Sequence, residues 1–287
     1  MNAKDLFYAI AGRLPARFLP VSLKLRLLVR SGVLDYAWYR KVTGRSPESI
    51  LELAEGVWTD DRERVANPLF SADFYRYEYR FDGSPGEALL HYVTVGERRG
   101  YKPCEWFDPR FFRQQHPEAG RYRTALAAYT AEWSRFPSPH PYFDAPWYQS
   151  RYPDVAASGM CPLVHFMNYG AKEGREPNAY FNSVWYLQNN RDIAKSGMSA
   201  AFHFCRYGAK ELRSPGPDFD MNRYASKFPD YASTGLDPLA HYLVHGRKLG
   251  LDISRLYLSL RDFEARFELS TLDGQIVGFD QWPMARL

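Results

Sequence analysis

Phe143-Asp144-Ala145-Pro146-Trp147-Tyr148, then Pro153-Asp154-Val155-Ala156, then Pro162-Leu163-Val164-His165-Phe166 with Gly170 and Gly174 behind it, form a phrase that recurs along the chain. It returns from Phe181, with Trp185-Tyr186, Asp192-Ile193-Ala194, Gly197, His203-Phe204 and Gly208. It returns again from Phe219, with Tyr224, Pro229-Asp230, Gly235, Pro238-Leu239, His241-Tyr242, Gly246 and Gly250. Two looser copies stand upstream, one from Phe70 to Gly100 and one from Phe107 through His116-Pro117-Glu118 to Ala128-Tyr129. A worn copy opens at Leu34-Asp35-Tyr36-Ala37-Trp38-Tyr39. Counted from one marker, positions 91, 128, 165, 203 and 241 are 37, 37, 38 and 38 apart; four of them are His and 128 is Ala. A fixed period of this size marks stacked supersecondary units. The spacing predicts a repeat array over 34–250, with copies starting near 34, 70, 107, 143, 181 and 219 and with end pieces at 1–33 and 251–287.

One copy reads as two short helices. Asp144 is a good N-cap, Pro146 suits the first turn, and Pro153 ends the helix that carries Trp147-Tyr148. Pro153-Asp154 opens a brief further turn that Gly159 can close in the left-handed conformation. Pro162 then starts a second helix in which Leu163, Phe166, Met167 and Gly170 recur at spacings of three and four, one apolar stripe, until Gly170 or Gly174 ends it. Neither helix reaches the about 12–15 residues at which isolated helices become marginally stable, so stacking must supply the burial. The expected fold class is all-α, an array of two-helix repeats of 37–38 residues in which each unit touches mainly its neighbours.

Composition agrees with a packed domain. The chain has 287 residues, 45% apolar and 16% aromatic, with a formal net charge of +4 from Lys and Arg mixed among Asp and Glu. That is ample for a core and lacks the dense basic face of a nucleic-acid binder, so no nucleic-acid partner is expected. Cys104, Cys161 and Cys205 are widely spaced without a C-x-x-C pair, which suggests neither a disulfide framework nor a zinc cluster and points to a reducing compartment. No run approaches the about 18 apolar residues of a membrane-spanning helix, and Pro15, Pro20 and the interspersed Arg residues spoil a signal-peptide reading. The expected location is the cytoplasm, or the inner face of the membrane if residues 1–33 lie on lipid.

The recurring polar groups are the candidates for chemistry. His91, His165, His203 and His241 could be ligands, but one unit apart they would sit on the order of 10 Å from each other, too far to share a metal. The alternative is an imidazole between helices, bonded to a carbonyl or to the recurrent Asp, and Ala128 in the same position suits packing. Asp144, Asp154, Asp192, Asp220 and Asp230 stand where N-caps stand. Asp218-Phe219-Asp220 matches the D-x-D tripeptide by which many nucleotide-sugar transferases hold a metal, yet Phe219-Asp220 is the repeat's own Phe-Asp. Gly96-x-x-x-Gly100, Gly170-x-x-x-Gly174 and Gly246-x-x-x-Gly250 sit among charges and read as helix terminators. Trp38, Trp147 and Trp185, with Phe74, Phe111 and Tyr224 in nearby frames, are either core or a ladder of stacking platforms for sugars. No phosphate-binding loop, dinucleotide fingerprint, G-x-S-x-G or H-E-x-x-H occurs, and neither a catalytic residue nor a cofactor is assigned.

The ends differ from the array. Residues 1–33 carry Lys4, Arg13, Arg17, Lys24, Arg26 and Arg30 against one acid, Asp5, between apolar residues, which fits either an N-terminal cap or a basic amphipathic segment on an anionic membrane. Near the other end, 267–272 and 275–279 flank Asp273-Gly274, the pattern of a tight β-hairpin.

The phrase Phe-Asp-x-x-Trp-Tyr, Pro-Asp-x-Ala, Gly, Pro-Leu-x-His-Phe/Tyr, Gly and Glu-Gly-Arg resembles repeat segments found beside glycosyltransferase and sulfotransferase domains in bacterial surface-polysaccharide proteins, and Leu27-Leu28-Val29-Arg30-Ser31-Gly32-Val33-Leu34-Asp35 is similar to the way such segments open. The match covers 34–250 and is best over 143–250. The resemblance implies an accessory role in glycan assembly or glycosylation, with a glycosyltransferase-type enzyme as protein partner and the aromatic or concave face as a place for glycan. It carries no catalytic residue across, because the enzyme domain that accompanies such repeats is not in this sequence. Three functions are therefore expected in competition: a non-catalytic scaffold or adaptor, a diverged glycosyltransferase-like enzyme using Asp218 and Asp220, and a peripheral membrane tether.

Overall fold

The computed structural model describes residues 19–62 and 64–253. Sixteen α-helices lie among them and no strand, only the isolated bridges Cys104–Phe107 and Gly216–Phe219. The chain is all-α over these residues. The hairpin expected at 267–279 lies outside them, as do residues 1–18 of the N-terminal segment.

Each copy of the phrase opens with a short lead helix: Tyr36–Thr43, Ala72–Tyr79, Pro109–Gln115, Ala145–Arg151, Ser183–Asn189 and Met221–Lys227. Their N-caps are Asp35, Ser71, Asp108, Asp144, Asn182 and Asp220, and each side chain accepts a backbone N–H two or three residues on. The first five caps act twice. Their own N–H groups donate to Ala66, Pro103, Pro139, Pro177 and Pro215, carbonyls in the link to the next copy, at 2.9–3.0 Å. Local capping and register between copies thus rest on the same residue.

The core recurs as a triangle of rings. Phe143, Tyr148 and Phe166 have centroids 5.4, 5.5 and 5.7 Å apart. Phe70, Tyr75 and Tyr92 repeat it, as do Phe107, Phe112 and Tyr129, Phe181, Tyr186 and Phe204, and Phe219, Tyr224 and Tyr242. All but Tyr242 are at most 2% exposed. Tilted and edge-to-face rings at these separations gain about 0.5–1.5 kcal/mol per pair beyond area burial. The central residue is the Tyr that follows the Trp. Trp38, Trp147 and Trp185 are only half-buried, so the tryptophans flank the core rather than fill it, and Tyr224 belongs to the frame of Tyr148 and Tyr186.

Contacts reach well beyond adjacent units, which corrects the expectation of a one-dimensional stack. Link residues meet closing helices 62 or 63 positions ahead: Asn67 Nδ2 donates to Thr130 Oγ1, Cys104 Sγ meets Met167 Sδ, and the hydroxyls of Tyr180 and Tyr242 bond at 3.1 Å. Farther still, Lys41 Nζ donates to Tyr169 Oη 128 positions on, Arg247 Nη1 to Asp144 Oδ2 across 103, and Tyr142 Oη to Asp237 Oδ2 across 95. The chain coils so that lead helices meet residues two or three copies later, as Asp144 meets Arg247 and Lys41 meets Tyr169. At the start of the coil, Val21–Ser31 packs on Ile50–Thr59 with Leu25, Leu27 and Leu28 buried. These leucines, which an interfacial helix would give to lipid, are inside the protein.

Candidate functional site

The four recurring histidines end their helices at one structural device. Pro85–His91, Pro162–His165, Ala200–His203 and Pro238–His241 are α-helical up to the imidazole. The next five residues, Tyr92–Gly96, Phe166–Gly170, Phe204–Gly208 and Tyr242–Gly246, form a π-turn. In each copy Nδ1 of the histidine bonds the central core tyrosine: Tyr75 to His91 at 2.7 Å, Tyr148 to His165 at 3.0 Å, Tyr186 to His203 at 2.9 Å and Tyr224 to His241 at 2.8 Å. The partner is thus a buried hydroxyl, neither the carbonyl nor the Asp that the sequence suggested. A neutral ring protonated at Nε2 lets the hydroxyl donate and Nδ1 accept.

The glycine that closes each π-turn completes the seat. A Cβ on Gly96, Gly170, Gly208 or Gly246 would overlap the hydroxyl of Tyr75, Tyr148, Tyr186 or Tyr224. These glycines, read from sequence as terminators, are holes for a phenol. Termination falls to the next member of each pair: Gly100, Gly174 and Gly250 have φ of 73°, 74° and 64°, and Leu212 takes the same left-handed conformation at 53°. The residue that follows then donates its N–H back to the carbonyl of the seat glycine at 2.8–2.9 Å, as Tyr101, Arg175, Arg213 and Leu251 do.

The copy from Phe107 is the molecule's own control. Phe112 stands in the tyrosine position, Ala128 in the histidine position and Trp133 where the seat glycine would be, and Ala125–Glu132 runs on as a plain α-helix. Hydroxyl, imidazole, glycine and π-turn are lost together while the ring triangle stays. The π-turn goes with the imidazole rather than with the glycine alone, since Gly56 in the plain α-helix Ile50–Thr59 leaves the same room for the Tyr39 hydroxyl with no histidine beside it. Burial pushes the Tyr224 hydroxyl up to about 12 and holds all four imidazoles below their ordinary pKa. Each pair is a neutral hydrogen bond. Tyr186→Phe is expected to cost about 1 kcal/mol in urea unfolding, because it leaves the Nδ1 of buried His203 without its donor.

The recurring carboxylates divide. Asp144 and Asp220 cap lead helices as read. Asp154, Asp192 and Asp230 do not cap; they sit in the first turn of Pro153–Ser158, Arg191–Ser196 and Pro229–Thr234. Asp154 pairs with Arg175 at 2.8 Å and Asp192 with Arg213 at 3.1 Å, and each arginine also holds Glu173 or Glu211 at 2.6 Å. These bridges lie at the surface and contribute little each. In the D-x-D tripeptide, Phe219 is buried and the Asp220 carboxylate accepts from Arg223 N at 3.0 Å. No group of three His, Cys, Asp or Glu is placed to hold a metal among the described residues. Capping and metal binding predict different mutants. Asp220→Ala should lower stability by about 1 kcal/mol while Asp220→Asn leaves it nearly unchanged in denaturant titration, since Asn caps as well as Asp; equal losses would show that the charge itself matters.

The three cysteines are free thiols, and burial pushes Cys104 and Cys205 up to about 12. Cys205 Sγ lies 3.9 Å from His140 Nε2. Burial, and then the nearby Lys102 charge, hold that imidazole down to about 3, so the pair is thiol and neutral imidazole, not a nucleophilic ion pair.

Three clefts open beside lead helices, lined also by residues of later copies. One, of about 410 Å³, lies between Trp38 and Trp133; one, of about 480 Å³, holds Tyr77, Arg206 and Tyr207; the smallest, of about 280 Å³, lies between Phe111 and Arg247. Of the three tryptophans named as candidate stacking platforms, Trp38 lines the first of these clefts, and Trp147 and Trp185 line none of the three. Comparison with protein-family models, with curated proteins and with solved structures gives no match.

Proposed function

We propose that this chain is a non-catalytic helical-repeat adaptor that serves glycosyltransferase-type surface-polysaccharide assembly or glycosylation in the cytoplasm. The recurring units are read as one array of period 37–38, coiled with residues of copies two or three apart in contact. The observation that carries the reading is how the recurring polar groups are employed. The four histidines bond tyrosines, Asp144 and Asp220 cap helices, and Asp154 and Asp192 hold arginines, so the repeated phrase specifies packing and leaves its outer surface for recognition. The burial of Leu25, Leu27 and Leu28 favours an N-terminal cap over a membrane tether. The partner class comes from the resemblance of the phrase to repeats beside glycan-assembly enzymes. Affinity capture from the native host, followed by mass spectrometry, tests the reading. Enrichment of a glycosyltransferase-type enzyme over a chain with scrambled surface residues is expected, and recovery of no polysaccharide-pathway protein overturns it.

A further inference from the structure

The copy that departs from the repeat contributes a tryptophan to the cleft that Trp38 also lines. Trp133 replaces the seat glycine and lines the cleft together with Trp38, which comes from the worn first copy; Pro68 and Val164 also line it. Trp38 is held by its Nε1–H, which donates to Arg64 O at 2.5 Å, so its orientation is set before any ligand arrives. Places where a sequence breaks its own local rule are where function is expected to reside.

The polar groups are few and placed at the wall. Lys41 Nζ lies 5.7 Å over the Trp38 ring and 5.6 Å over Tyr169, donates to Tyr169 Oη at 3.1 Å, and meets no carboxylate among the described residues. An ammonium fixed by two rings and one neutral hydroxyl keeps donors for an anion. Asp35 and Thr130 add an acceptor and a hydroxyl. The volume, about 410 Å³, falls in the range of small-molecule sites, where apolar walls and a few convergent polar groups are the rule.

We propose that this cleft binds a pyranose ring bearing a carboxylate, a hexuronate-type unit of an acidic glycan. The C–H faces of the ring lie on Trp38 and Trp133, the carboxylate takes Lys41, and ring hydroxyls meet Asp35 and Thr130. A planar aromatic acid would satisfy the tryptophans and Lys41 but leave Asp35 and Thr130 unused. The proposal stands apart from the adaptor reading, since loss of a protein partner says nothing about this cleft and loss of ligand binding says nothing about the partner.

Calorimetry and tryptophan fluorescence of the full chain, titrated with a galacturonate trimer, with maltotriose and with benzoate, test it. Saturable binding of the acidic trimer is expected, at least about tenfold tighter than that of maltotriose or benzoate. Lys41→Gln is expected to weaken the trimer about tenfold with unchanged thermal unfolding, the size of one lost charge-assisted hydrogen bond. Trp133→Gly, which restores the repeat residue, removes the fluorescence response; if that variant does not fold, Lys41→Gln on its surface position carries the test. Equal affinity for acidic and neutral trimers, preference for benzoate, full affinity in Lys41→Gln, or no saturable binding of any probe overturns the proposal.

Discussion

Gly170→Ala lowers the melting temperature by roughly 5–10 °C, the effect of forcing a methyl group into a filled site at about 2–3 kcal/mol in a chain of this size. The new Cβ overlaps the Tyr148 hydroxyl, which is pinned on its other side by His165 Nδ1 at 3.0 Å, so the phenol cannot withdraw without breaking that bond. Two comparisons isolate the cause. Gly120→Ala, where an added Cβ meets nothing within 4 Å, leaves the melting temperature within about a degree. Tyr148→Phe in the Gly170→Ala background recovers most of the loss, because it removes the atom that clashes, although Tyr148→Phe alone costs about 1 kcal/mol. Additive losses in the double variant would show that hydroxyl and glycine do not share one site.

Acid weakens the protein before its carboxylates titrate. Burial holds the imidazoles of His91, His165, His203 and His241 below their ordinary pKa, and His140 down to about 3. Nearby charges act after burial: Arg99 beside His91, Arg175 with Glu173 and Asp154 beside His165, Arg213 with Glu211 and Asp192 beside His203, and His245 beside His241. The unfolded chain therefore takes up these protons first. The stability they confer is complete above about pH 6.5 and falls as pH drops below it, by up to about 1.4 kcal/mol per pH unit for each histidine until its folded pKa is reached. The His140 share goes on falling to about pH 3. Protonation also reverses the hydrogen bond, because Nδ1 becomes a donor and the tyrosine hydroxyl must turn to accept. Urea midpoints at about pH 7.5 and about pH 5.5 measure this. A large drop is expected, and a flat profile would show that the folded imidazoles protonate freely.

The helical character of this fold and the ends of its helices were legible in the sequence because they rest on local rules. Asp144 and Asp220 cap, and Gly100, Gly174 and Gly250 close helices, since each depends on residues a few positions apart. The π-turn was not legible. It depends on Tyr148, His165 and Gly170 meeting across 22 positions, and helical periodicity carries no mark of one extra residue in a turn. Its trace was nevertheless present, in that Ala128 departs from histidine in the same copy where Phe112 departs from tyrosine and Trp133 from glycine. Read singly, Ala128 only weakened a metal hypothesis; read as one of three joint departures, it identifies the unit and points to the cleft. The assignment of the tryptophans to the core missed by one residue, because Trp147 and Tyr148 are neighbours in sequence and only the second faces inward. The contacts between distant copies were illegible for a simpler reason. Lys41 and Tyr169 lie 128 positions apart, and the pitch of a coil is set by small angles summed over every junction.

Open arrays of stacked units can grow or shrink by one unit, since each copy knows only the next. This chain is constrained as a spiral staircase is by its well. With Lys41 against Tyr169 and Tyr77 against Arg206, residues of copies three apart, removing a single copy would present every later residue to the wrong neighbour. The irregular copy with Ala128 therefore cannot be dropped without misplacing the pairs that span it.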